Sequence, residues 1–169
     1  MKEPKFFPIF ILFIFIALFT RSAGEDKIPS EKIQVKANVW ETKEHGAGDF
    51  FPNLTMDGDL SANSSWRGEK IDDIKPWILY DLGKTVQLSH LNIAFFKGDQ
   101  RNYSIEILIS KDGTNWITIF DGLSSGNTAV FEKYPIGENA RFIKIVGNGN
   151  SNETFNNWTN ITEVEIYMN

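Results

Sequence analysis

Apolar and polar positions alternate along much of the chain from residue 33 onward. In the clearest stretch Tyr103, Ile105, Ile107 and Ile109 fall on one side, with Ser104, Glu106 and Ser110 on the other. A period of two sends successive side chains to opposite faces, so this pattern predicts a half-buried strand over 103–110. Val164 and Ile166 against Glu163 and Glu165 repeat it in a strand over 161–168. Comparable runs cover 33–39, 77–82, 86–96, 116–120, 128–134 and 140–146. Turn chemistry separates them: Gly83, Lys97-Gly98-Asp99, Asp112-Gly113, Asp121-Gly122, Pro135 and Gly147-Asn148-Gly149-Asn150. No stretch carries the periodicity of an amphipathic helix of useful length. About eight strands with regularly spaced turns predict an all-β fold, an antiparallel jelly-roll β-sandwich.

The N-terminus breaks the pattern. Lys2 and Lys5 precede an almost wholly apolar run from Phe6 to Phe19, interrupted by Pro8, and Ala23 and Gly24 follow Thr20, Arg21 and Ser22. A basic start, a short apolar stretch and small residues form the order of a secretory signal peptide. The run is shorter than the ~20 residues that span a bilayer. Residues 1–24 are therefore expected to be a cleaved signal peptide, with an uncleaved anchor as the alternative. Residues 25–31 are expected to be a polar linker and 32–169 the domain. The expected location is secreted or extracellular, with the periplasm or cell surface left open, and no membrane span after cleavage.

Composition narrows the classes of partner. The chain has 169 residues, which suits one domain, and no cysteine, so no disulfide staples it. Stability must come from core packing or a bound metal. A net charge of -5 argues against nucleic acid, although a local basic cluster can still hold an anion.

Candidate chemistry lies in the loops. Asp57 and Asp59 flank Gly58, with Ser61 and Ser64 close behind. Carboxylates, hydroxyls and carbonyls on a tight turn suit calcium, a hard cation that takes oxygen ligands; the plainer alternative is an ordinary Asp-Gly turn. Lys97-Gly98-Asp99-Gln100-Arg101 puts two bases and an acid in one loop, either a solvated surface loop or an anion clamp. Gly147 to Trp158 is rich in asparagine and carries Phe155 and Trp158. Amides for hydroxyls and flat rings for C–H faces suit a sugar; a polar loop with one aromatic in the core is the alternative.

Catalysis has little to stand on. There is no cysteine, the histidines are His45 and His90 alone, and no nucleophile elbow, metalloprotease helix or phosphate loop is present. Asp57 with Asp59, and Asp72 with Asp73, are carboxylate pairs, but both sit in turns without a cleft to raise a pKa.

From about Ile33 to the end, the chain resembles the discoidin domain, also called the coagulation factor 5/8 type C domain. The resemblance rests on Asp57-Gly58-Asp59 leading to Trp66, and on residues 77–83 (WILYDLG), 93–101 (IAFFKGDQR) with 110–116 (SKDGTNW), and 141–150 with 161–167 (ITEVEIY). Within that superfamily it is most similar to family 32 carbohydrate-binding modules of alginate-lyase-type polysaccharide enzymes. The resemblance implies a structural Ca2+ held by the Leu54 carbonyl, Asp57, Asp59, Ser64 and Glu163. It implies a shallow sugar site using Arg101 and Asn102, with Lys97 beside them and Phe155 or Trp158, and the loop from Trp40 to Phe51, with His45, on the same rim. Trp66 is expected to pack rather than bind. The function implied is non-catalytic binding of an acidic (uronate) polysaccharide such as alginate. The partners implied are a polysaccharide or oligosaccharide, and a separate polysaccharide-degrading enzyme or a cell surface. The alternative is a cell-adhesion or protein- or lipid-binding discoidin module, presenting the tip Asp49-Phe50-Phe51-Pro52. The least favoured reading is a polysaccharide lyase or glycosidase.

Overall fold

The structure, a computed structural model, describes residues 24–44 and 46–169. The expected signal peptide, but for Gly24, and His45 lie outside the described residues. Nine antiparallel strands form the fold: β1 (Asp26–Lys27), β2 (Gln34–Ala37), β3 (Trp66–Glu69), β4 (Trp77–Phe95), β5 (Tyr103–Ser110), β6 (Ile117–Leu123), β7 (Phe131–Pro135), β8 (Asn139–Asn150) and β9 (Trp158–Met168). The helices among the described residues are two short 3-10 turns, Ser30–Lys32 and Pro52–Met56, and none is long and apolar enough to cross a membrane.

The two layers share a strand. The first half of β4 pairs with β2 and β8, and β8 continues through β5 to β6. Its second half pairs with β7 and β9, and β9 carries β1 and β3 along its other edge. The sequence pattern stops at Gly83 and predicts two strands here. The backbone runs on instead, with the register broken between Asp81 and Val86 and Gly83 at φ +74°. An irregularity of this kind lets one strand turn from one layer into the other.

The alternation seen in the sequence builds the core. Ile78 and Tyr80, then Ile105 and Ile107, then Ile143 and Ile145 point inward from one layer. Leu91, Ile93, Val164 and Ile166 meet them from the other. Each fully buried side chain of this size contributes roughly 1.5–3 kcal/mol. Trp66 is also fully buried, as expected, and its indole Nε1 donates to the Val39 carbonyl at 2.8 Å.

Two segments differ from the sequence reading. Residues 25–31, expected as a linker, enter the fold: Asp26 and Lys27 pair with Met168 and Tyr167, and Ile28 is buried. The four-residue strand β3 carries no readable alternation, because Gly68 occupies one inward position under the Trp66 ring.

His90 is buried in the second layer and stacks on Tyr167 at 4.4 Å. Burial holds its imidazole below the ordinary 6.5, Lys133 pushes the same way, and Glu25 and Glu165 oppose them. The unfolded chain therefore takes up this proton first as pH falls, so the contribution is whole above pH 6.5 and is lost below it. Denaturation midpoints taken from pH 7 to pH 5 should fall further for wild type than for His90→Gln. Parallel curves would show that His90 does not carry the effect.

Candidate functional site

One end of the sandwich gathers the loop after β4, the start of β5, the start of β9 and strand β3. Between them lies a cavity of about 410 Å³. Lys97, Arg101, Phe155 and Trp158, all expected from the sequence, line it together. Glu41, from the 40–51 loop, and Asn150, from the 147–158 segment, line it as well, and so do Arg67, Phe96, Tyr103 and Asn160, which were not anticipated.

The cationic side of the cavity is built around Phe96. Its ring lies 5.4 Å from the Lys97 ammonium, 5.4 Å from the Arg101 guanidinium and 5.7 Å from that of Arg67. The turn is held by its own backbone: Gln100 and Arg101 donate N–H to the Lys97 carbonyl, and the Tyr103 hydroxyl donates to that of Phe96 at 2.7 Å. Lys97 itself adopts a positive φ of 52°, a conformation that costs a non-glycine residue on the order of 1–2 kcal/mol. Such a cost persists where the surroundings fix the loop. Among the described residues neither Lys97 nor Arg101 forms an ion pair.

Arg67 forms the floor. Its guanidinium stacks on buried Phe50, 3.4 Å from the ring centroid, pairs with Glu41 at 3.3 Å and donates to the Ala62 carbonyl at 3.1 Å. Its Nε is buried and has no hydrogen-bond partner among the described residues. Opposite it in register stands Asn160, whose buried Oδ1 also lacks a partner. A buried donor or acceptor left unpaired costs about 1–3 kcal/mol.

Asn102 does not join this group. Its amide donates to the Ser124 carbonyl at 2.7 Å, its backbone N–H is taken by the Ser151 hydroxyl, and it faces a different hollow. It ties two loops together. The asparagines after β8 are also occupied: Asn150 donates to the Phe155 and Trp158 carbonyls, and Asn152 accepts from Thr154 and Phe155. They shape the loop that presents Phe155. The apolar tip at 49–52 shrinks likewise, since Phe50 is buried under Arg67 and only Phe51 is exposed.

The residues suggested for calcium converge in part. Glu163 is buried, its carboxylate accepts the Gly58 N–H at 3.2 Å, and the Ser64 hydroxyl donates to Asp57. Gly58 presents that N–H from a positive φ of 82°, which glycine adopts without strain. Burial pushes the Glu163 carboxyl up to about 7, with Asp57 adding to the rise and the Gly58 N–H opposing it. The Asp59 carboxylate accepts from the Ser61 N–H and hydroxyl, while its own N–H donates to Asp57. Leu54 sits within the Pro52–Met56 turn with its N–H on the Phe51 carbonyl. Among the described residues no group of three or more His, Cys, Asp or Glu is placed to hold a metal ion. A cation there must draw on two carboxylates, a hydroxyl and backbone carbonyls.

The F5/8 type C domain model matches residues 34–164. The chain belongs to the F5/8 type C domain family. The family 32 carbohydrate-binding module of AlyQ, solved in complex with 4,5-unsaturated mannuronic acid, is 30% identical to it, with a TM-score of 0.66. That match covers 79% of this chain and 92% of the AlyQ module, and this chain is a carbohydrate-binding module of the same type. A pectin-binding carbohydrate-binding module (24% identity, TM-score 0.67) covers 85% of this chain and is covered over 91% of its own length. The family 32 module of NanJ from C. perfringens, solved with galactose, has 18% identity and a TM-score of 0.65, over 85% of this chain and 98% of its own. These last two share the fold. No curated protein matches the chain at a significant level. The F5/8 type C fold thus places the cavity at the loop end of its sandwich, and Arg67, on a short edge strand, is among the residues that sequence reading missed.

Proposed function

We propose that this module is exported, has no catalysis of its own, and holds an acidic sugar of a uronate polysaccharide such as alginate in the cavity lined by Arg67, Lys97, Arg101 and Trp158. The observation that carries the reading is the gathering of cations over one ring: Lys97, Arg101 and Arg67 surround Phe96 in a cavity that Trp158 and Phe155 also line, and among the described residues neither Lys97 nor Arg101 forms an ion pair. A sugar carboxylate answers that charge, while Trp158 and Phe155 offer faces to the ring. Arginine suits a carboxylate because its planar fork makes two parallel hydrogen bonds.

Arg101→Ala should weaken binding to an oligouronate by about tenfold or more, since a hydrogen bond to a charged group is worth ~1.5–3 kcal/mol. Titration calorimetry on both proteins measures it. Equal affinity for neutral and acidic glycans in the wild type would sink the charge-based reading.

Calcium belongs to the same proposal. The oxygen-only set of Asp57, Ser64 and Glu163 fits a hard cation, and a cation would offset the like charges of exposed Asp57 and buried Glu163. A bound ion would neutralise those carboxylates and tie the 57–64 loop to β9. Calcium at ~100 times its Kd should then stabilise the module by about 2.7 kcal/mol, and chelation should reverse it. Glu163→Gln should abolish the difference. A melting temperature indifferent to calcium in the wild type would remove the metal from the proposal.

A further inference from the structure

A second groove, of about 480 Å³, adjoins the cavity across a wall formed by Glu41 and Trp158, which line both. Its position follows from the register of two strands. Arg67 lies opposite Asn160, and Glu69 lies opposite Trp158. Residues two apart on a strand share a face, so the first pair serves the cavity and the second serves the groove, ~7 Å further along. That step is about the reach of one pyranose ring.

The two hollows differ in charge. The cavity holds Arg67, Lys97 and Arg101 against Glu41. Among the described residues the groove is lined by Glu41, Glu44 and Glu69 and by no lysine or arginine. Glu41 is spoken for by Arg67 and by the Ala47 N–H, whereas Glu44 is exposed and Glu69 half-buried. The remaining surface is flat and apolar: Trp40 is 41% exposed, tilted against Phe51, and Ile71 is 57% exposed. Two indoles, Trp40 and Trp158, therefore border a space whose carboxylates repel an anion and accept hydrogen bonds from hydroxyls.

We propose that this groove is a second subsite, which takes an uncharged sugar residue next to the acidic one, so that the module selects glycans in which a uronate adjoins a neutral sugar over unbroken uronate chains. The proposal rests on the uronate reading of the first cavity but replaces its example, alginate, in which every ring is a uronate, with chains that mix uronate and neutral rings. A homopolymeric uronate puts a carboxylate on every ring, and the ring after the bound one would bring its carboxylate to Glu44 and Glu69. A neutral neighbour meets no such repulsion and gains the face of Trp40.

The test uses the described domain with three probes in titration calorimetry: a methyl uronate monosaccharide, an alternating glucuronate–N-acetylglucosamine tetrasaccharide, and a homo-oligouronate of four residues. Wild type should bind the alternating tetrasaccharide roughly tenfold more tightly than the homo-oligouronate. Trp40→Ala should bring the alternating tetrasaccharide down to the affinity of the monosaccharide, whose own binding should not change. Glu44→Gln with Glu69→Gln should raise the affinity for the homo-oligouronate severalfold at low salt, and less at high salt. If the monosaccharide binds but neither variant changes the ranking of the tetrasaccharides, the second subsite is overturned and the first reading stands. If no uronate binds the folded wild type, both are overturned.

Discussion

Trp66→Ala is expected to melt roughly 10 °C below wild type, from a loss of about 3–5 kcal/mol in a domain of this size. The indole is fully buried, and three features of the fold depend on it. Its Nε1 fixes the Val39 carbonyl at 2.8 Å, which anchors the chain just before Trp40 and Glu41. Its ring covers Gly68, where an added Cβ would stand 2.7 Å from Trp66 Cζ2 and 2.5 Å from Pro76 Cβ. Its backbone pairs β3 with Ile161 of β9. Truncation would leave a cavity beneath the strand that carries Arg67, so weaker glycan binding should accompany the lower melting temperature. Trp66→Phe keeps most of the volume and loses the hydrogen bond, and should cost only about 1–2 kcal/mol. Thermal denaturation of the three proteins checks the order. A Trp66→Ala variant as stable as wild type would show that the 66–69 edge does not contribute to the cooperative core.

Arg67→Met should have the largest effect on binding, and it should also destabilise. The side chain of Glu41 is only 9% exposed, and Arg67 is the cation it pairs with. Removing one partner of a buried pair strands the other charge, at about 3–5 kcal/mol. The cavity would lose its floor, the stack on Phe50 and the unpaired Nε together. Adding Glu41→Leu to Arg67→Met removes the stranded carboxylate, and should recover most of the stability without recovering binding. Arg67→Lys keeps the charge but loses the planar stack and fork, and should remain impaired. Denaturation curves and calorimetry on the single and double variants separate the two roles. Full binding by Arg67→Met would remove this residue from the site.

The strands that were legible in the sequence are those that are half-buried over several residues, such as β5 and β9, because only there does alternation persist. β3 was not legible, since four residues with a glycine among them carry no period. β1 was not legible either: two polar residues pair with the end of the chain through their backbone, which leaves no mark on side-chain composition. The site divides the same way. Lys97, Arg101, Phe155 and Trp158 advertise themselves as unusual residues in loops. Arg67, Glu41 and Asn160 are ordinary residues on or beside strands, and their importance comes from a register that joins 67 to 160 and from a fold that brings 41 to 67. Asn102 and Asp59 had suitable chemistry, but local backbone groups use it first.

The pairing of Asp26 with Met168 brings the first and last strands of the sandwich side by side, at the far end of β9 from Trp158, so ~30 Å of strand separates them from the cavity. A host protein fused beyond either strand would stand behind the binding face and would not shadow it. Because the two strands are neighbours, the module could equally be spliced into a surface loop of another protein, entering and leaving at one spot like a bulb in a socket.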